Sequence, residues 1–211
     1  MKFPEQHELE NNVIQKLLSG PDRRSLQGRR DYAVIRLLLE TGVRISELAG
    51  LYGRHLIQNE TQFSIQVKTL KQRKIKNQAD HKEKEFIREI PLKPELVEAL
   101  SNYWQLEYGS TFPPEDAPFF KIQPTGIAQA GPITLKAIRG IIQKYKIEVG
   151  IQARITAHTF RHTFLSRIAR LRDVETARQL AGHVSINSTQ HYLHSTPKRK
   201  RDAIGELDYG I

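Results

Sequence analysis

Between His55 and Leu92 the apolar residues adopt a period of two, and helical spacing holds on both sides of this stretch. Phe63, Ile65 and Val67 alternate with polar residues, and Phe86, Ile87 and Ile90 form a second run before Pro91. Alternation sends successive side chains to opposite faces of a sheet. The pattern therefore predicts a mainly α chain carrying a small antiparallel β-sheet (α+β). Its 211 residues suit one domain of ordinary size.

The helical segments follow from their spacing and punctuation. Residues 5–18 place Leu9, Val13, Ile14, Leu17 and Leu18 on one stripe, stopped by Gly20-Pro21. Tyr32, Ala33, Ile35 and Leu37 to Leu39 predict a more buried helix, with Gly42 as its C-terminal cap. A short helix follows over Ile45–Leu51. Pro94 opens the next helix at its first turn. Residues 109–132, rich in Gly, Pro, Thr and Gln, predict a long flexible surface connection anchored by Phe119-Phe120. Thr134 caps a helix that ends near Gly150, and another spans 158–170. Asp173 and Gly182 bracket a helix over 174–181, and two short helices are expected at about 187–194 and 197–207.

Lys+Arg 33 against Asp+Glu 23 gives a net charge of +10, which favours a polyanionic partner. The absence of cysteine excludes disulfides, zinc–cysteine modules and thiol nucleophiles. No apolar run approaches the roughly 18–20 residues that span a bilayer, and residues 1–10 lack the apolar core of a signal peptide. A cytoplasmic protein without a membrane partner is expected. From Lys68 to Arg88, basic residues at 68, 71, 73, 74, 76, 82, 84 and 88 outnumber acidic ones at 80, 83 and 85. Such a basic hairpin can follow a phosphate backbone, with Lys71, Arg73, Lys74 and Lys76 as candidate DNA contacts; a solvated loop is the plainer alternative.

Residues 156–194 gather His158, Arg161, His183 and Tyr192 among helical patterns. Phosphodiester cleavage without a metal needs a nucleophile, positive charge on the non-bridging oxygens and a proton donor for the leaving oxygen. Arginine keeps its charge and presents a planar fork, so Arg44 and Arg161 can clamp two oxygens. His158 and Arg161, three apart, share a helix face. Gly182 lets the backbone turn sharply before His183. Tyr192 carries the phenol that would attack, with histidine as base and arginine as counter-charge. Lys68, closing the F-S-I-Q-V strand, is the candidate proton donor, with Lys71 in reserve. Arg44 also admits a plainer reading as a surface partner of Glu47 at i+3. His162 reads as a support for the fold, and His191 and His194 as surface. His158 and His162 have metal-ligand spacing, but Thr159 stands where H-E-x-x-H has glutamate, so no metal is expected.

Taken together, these residues resemble the tyrosine recombinase (phage integrase) family from about Leu17 to His194. The boxes are T-G-V-R-I-S-E-L-A-G-L, H-T-F-R-H-T-F and L-A-G-H-V-S-I-N-S-T-Q-H-Y. They match the first catalytic arginine to Arg44, the histidine and second arginine to His158 and Arg161, the second histidine to His183 and the nucleophile to Tyr192. The resemblance implies a mainly helical catalytic domain with a three-stranded sheet. It implies strand cleavage through a 3′-phosphotyrosine and a free 5′-hydroxyl, then rejoining through a Holliday junction, with no metal or other cofactor. Glu47 matches an acidic position that orients its neighbours. Double-stranded DNA is the implied partner, with a homotetramer on synapsed DNA and a monomer possible alone. The chain is expected to be a single catalytic domain, 1–211, with a core of about 5–194, a basic C-terminal segment 195–211 and no N-terminal DNA-binding domain. The alternatives are a DNA-binding regulator that does not recombine and a type IB-like topoisomerase. One departure is the long basic insertion after Lys68-Thr69, where the family has a tight hairpin.

Overall fold

The computed structural model describes residues 8–60, 62–69, 86–122 and 130–182, with backbone alone at 69 and 86. His183, Tyr192, the basic residues Lys71, Arg73, Lys74 and Lys76, and the two expected C-terminal helices lie outside the described residues. The described elements are α1 (Asn11–Ser19), α2 (Leu26–Thr41), α3 (Ile45–Ala49), β1 (Leu56–Asn59), β2 (Gln62–Thr69) and β3 (Phe86–Leu92). After them come α4 (Pro94–Tyr108), β4 (Lys121–Ile122), β5 (Gly131–Pro132), α5 (Leu135–Glu148), α6 (Ala157–Leu171) and α7 (Val174–Ala181).

The period-two stretch forms a three-stranded antiparallel sheet in the order β1-β2-β3. Its register pairs Ile65 with Ile90 and Val67 with Arg88. Ile65, Val67 and Ile90 turn to the core, whereas Ile87 is 58% exposed. Residues 87 and 90 are three apart and cannot share one face of a strand. Ile87 is therefore not part of the inward run that the sequence suggested.

One core joins α1–α5, the sheet and Phe160 of α6. Trp104, Tyr103, Phe119 and Phe120 are fully buried at its centre. The Trp104 indole donates to the Phe119 carbonyl at 2.9 Å, and the Tyr103 hydroxyl accepts from the Lys121 amide at 3.0 Å. These bonds pin the stretch 118–121 to α4. The connection 109–132 is thus anchored as expected, but it also pairs with itself through β4 and β5.

Several helix ends form for the reasons legible in the sequence. Ser25 and Thr134 accept the amides of Gly28 and Ala137. Asp173 does the same for Thr176, and Gly42 and Gly182 end α2 and α7 in the left-handed conformation. Three boundaries differ. α2 begins at Leu26, inside the basic segment 23–30 expected to lead into a helix from Tyr32, because Ser25 caps it there. α1 begins at Asn11, because Glu8–Glu10 run in a non-helical strap against α6. In that strap the Leu9 amide donates to Thr163 Oγ1, Arg167 donates to Glu8 and to the Leu9 carbonyl, and Arg170 donates to Glu8. α3 stops at Ala49, since Gly50 leaves the helical conformation and Leu51 passes its carbonyl to the Phe119 amide.

Candidate active site

The turn after α2 places Arg44. Gly42 holds φ +60°, and a Cβ there would sit 2.4 Å from the Phe164 ring, so α6 closes tightly on this turn. Arg44 then takes the N-cap position of α3. Its backbone amide donates to Glu47 Oε2 at 2.8 Å and its Nη1 to Glu47 Oε1 at 2.9 Å. The plainer expectation for Arg44, a partner of Glu47, is thus realised. It does not remove the side chain from use: Arg44 remains 37% exposed and borders a cleft with His158 and Arg161.

That cleft has a volume of about 480 Å³. Arg44, Ile45 and Ser46 form one wall, Thr156, Ala157, His158 and Arg161 of α6 another, and Arg139, Ile142 and Gln143 of α5 the third. His158 is exposed at the first turn of α6, while Arg161, one turn deeper, is 3% exposed. Arg161 Nη1 donates to the Gly42 carbonyl at 2.6 Å and Nη2 to the Ala181 carbonyl at 2.7 Å. One guanidinium therefore ties the Arg44 turn to the end of α7.

Other expected site residues are placed less directly. Gly182 ends α7 beside Ala181, with φ +64°. His162 is buried on α6, consistent with a supporting position. Lys68 lies near the end of β2, exposed, and does not line the cleft.

Two features were not anticipated. Arg139 and Gln143, four apart on α5, add a cation and an amide to the cleft. Nothing in their spacing separates them from ordinary solvent-facing residues. The second is Arg88, counted from sequence as part of the basic hairpin surface. It is buried instead, its side chain 5% exposed. Nη1 and Nη2 donate to Glu47 Oε1 and Oε2 at 3.1 and 2.7 Å, and Nε donates to the Leu180 carbonyl at 2.9 Å. Strand register carried this signal: Arg88 lies two before Ile90 and faces inward with it. Burial pushes the Glu47 carboxyl up, but hydrogen bonds and charge from Arg88, then the Arg44 amide and charge, hold it below the usual carboxylate range.

A family model for the phage integrase family matches residues 7–199. The chain belongs to the phage integrase family. Its relatives in that family include a tyrosine recombinase of Pseudothermotoga lettingae, 31% identical over 198 residues, covering 92% of this chain and 58% of that protein. The tyrosine recombinase XerC of Treponema denticola is 32% identical over 174 residues, covering 81% of this chain and 53% of that one. The chain thus spans little more than half the length of these relatives. Among solved structures, the XerA recombinase aligns with a TM-score of 0.71 at 23% identity, over 99% of this chain and 67% of that chain. The catalytic domain of bacteriophage HP1 integrase aligns with a TM-score of 0.61 at 18% identity, over 94% of both chains. The fold is that of a phage integrase family catalytic domain. Among the described residues, no helix is long and apolar enough to cross a membrane.

Proposed function

We propose that this chain is a site-specific DNA recombinase that cleaves and rejoins strands through a covalent 3′-phosphotyrosine on Tyr192. The observation that carries the reading is the cleft itself. Arg44 and Arg161, distant in sequence, border one hollow with His158, where a phosphodiester can meet two guanidinium groups and an imidazole.

In this reading Arg44 and Arg161 neutralise the two non-bridging oxygens as charge builds in the transition state. The Tyr192 oxygen bonds to phosphorus as its proton passes to a histidine, His158 or His183, and the bond to the 5′-oxygen breaks. That oxygen takes a proton from Lys68 and leaves as a free hydroxyl. A 5′-hydroxyl from another strand then attacks, releasing Tyr192 and restoring a phosphodiester. The phosphotyrosyl bond keeps the energy of the bond that was broken, so the cycle requires no high-energy cofactor. Double-stranded DNA is the substrate, a homotetramer on two synapsed sites is the working assembly, and the cytoplasm is the compartment.

The test is covalent capture on nicked duplexes with randomised sequence. The protein should become covalently attached to a subset of duplexes with EDTA present, and Tyr192→Phe should not. Recombination between two copies of a recovered site separates a recombinase from a supercoil-relaxing enzyme. An adduct that persists in Tyr192→Phe overturns the assignment of the nucleophile, and binding without any adduct leaves a DNA-binding regulator.

A further inference from the structure

The end of α7 has an unusual attachment. Ala177 and Ala181 meet Leu165 and Ala169 of α6 in a small cluster, and Leu180 is the α7 side chain packed, partly buried, against the main core. The last two carbonyls of α7 each accept from a buried arginine of another element. Leu180 O receives Arg88 Nε from β3, and Ala181 O receives Arg161 Nη2 from α6. The residue two positions beyond Ala181 is His183.

Arg88 also grips Glu47 through both carboxylate oxygens, and Glu47 in turn holds Arg44 by its backbone amide and one Nη. The chain of contacts runs from Arg44 through Glu47 and Arg88 to the carbonyl of Leu180. A lysine could supply the charge, but not a fork that engages two carboxylate oxygens and a carbonyl together. The geometry points to Arg88 as a positioning residue for strand cleavage: it fixes the cleft arginine Arg44 and the backbone leading into His183 in one register, without touching DNA. This rests on the recombinase reading above.

Among the described residues, the charged groups facing Glu47 are Arg44 at the start of α3 and Arg88 from β3, and α7 brings the Leu180 carbonyl to Arg88. Removing Arg88 takes away the larger influence that keeps Glu47 ionised and leaves the burial that opposes it. Glu47 then takes up a proton at higher pH and lets go of Arg44.

The test compares wild type, Arg88→Lys, Arg88→Met and Arg88→Met/Glu47→Gln on a captured nicked duplex. In single turnover, Arg88→Lys should lose about tenfold in cleavage rate and Arg88→Met about a hundredfold, from misplacement of the reacting groups. DNA affinity should stay within about threefold, because no phosphate contact is lost. Arg88→Met should lose more of its rate than wild type as pH is lowered, with the earlier protonation of Glu47, and the double variant should lose that extra dependence. Backbone amides at Ala177–Ala181 should exchange about tenfold faster in both single variants while α2 stays protected.

An unchanged cleavage rate overturns the proposal, as does a fall in affinity equal to the fall in rate. So does α7 exchange equal to wild type in Arg88→Lys, the variant that keeps the charge and guards against loss of the fold in Arg88→Met. If wild type captures no duplex, the recombinase reading fails, and the exchange measurement alone decides whether Arg88 positions α7.

Discussion

The two halves of the candidate site are held in different ways. The wall formed by Arg44 and α5 stands on the main core, where Ile138, Ile141 and Ile142 pack with the interior reached by Trp104 and Phe119. The α6–α7 edge has one leucine and three alanines as its own buried cluster; α7 reaches the main core through the partly buried Leu180 and is fastened by guanidinium groups donating to the Leu180 and Ala181 carbonyls. Burial is non-directional and tolerates small shifts, whereas a hydrogen bond fixes distance and angle. A core-backed wall gives a stable floor. A polar-stapled helix gives a defined position that can change when its donors are engaged elsewhere.

Substitutions can separate the two. The largest effect falls on the core. Trp104→Ala should cost about 3–5 kcal/mol by denaturant titration, from lost burial and the cavity left behind. It should do so while the polar ties to α7 persist in the folded fraction. Arg161→Met should do the reverse. Two buried carbonyls lose their donors, at about 1–3 kcal/mol each, and the loss should concentrate in α7 amide exchange and in strand cleavage. Equal loosening of α2 and α7 in Arg161→Met would break the distinction between core-held and staple-held halves. Thr134→Ala removes the cap of α5, on the core-backed side, and should cost about 1 kcal/mol by thermal or denaturant unfolding.

The smallest expected effect is on pH dependence. Two glutamates, one in each region, are held below their ordinary value of 4.5. For Glu47, burial opposes the shift and Arg88 and Arg44 overcome it. For Glu8, burial again opposes it, and Arg170 and Arg167 overcome it. A carboxyl depressed in the folded state contributes stability that is fully present above the unfolded value. That contribution is lost as pH falls through the folded one. Stability should therefore decline as pH drops below about 4.5. Glu47→Gln and Glu8→Gln should each flatten that acid limb, with Glu47, the more buried, giving the larger change. An acid limb unaltered by either substitution would show that other carboxylates carry it.

Much of the fold was legible because its signals are local. Period two over Phe63–Val67 predicted the sheet, and Thr134, Asp173, Gly42 and Gly182 marked the helix ends that form. What the sequence did not convey is tertiary. The strap Glu8–Glu10 looks like the first turn of a helix until Arg167 and Arg170 draw Glu8 across α6. Arg88 looks like one more hairpin cation because composition counts charges and ignores which face a strand residue takes. The meeting of Arg44 with His158 and Arg161 at one cleft came from motif order, since residues so far apart in the chain have no local signal of contact. Arg139 and Gln143 had no comparable motif to point to them.

The most direct test of the recombinase reading is to locate the covalent bond. Wild-type protein trapped on a nicked duplex, digested with nuclease and protease and analysed by tandem mass spectrometry, should carry a nucleotide linked through its 3′-phosphate to Tyr192 and to no other residue. A nucleotide on a different side chain, or a linkage through the 5′-phosphate, would contradict the account.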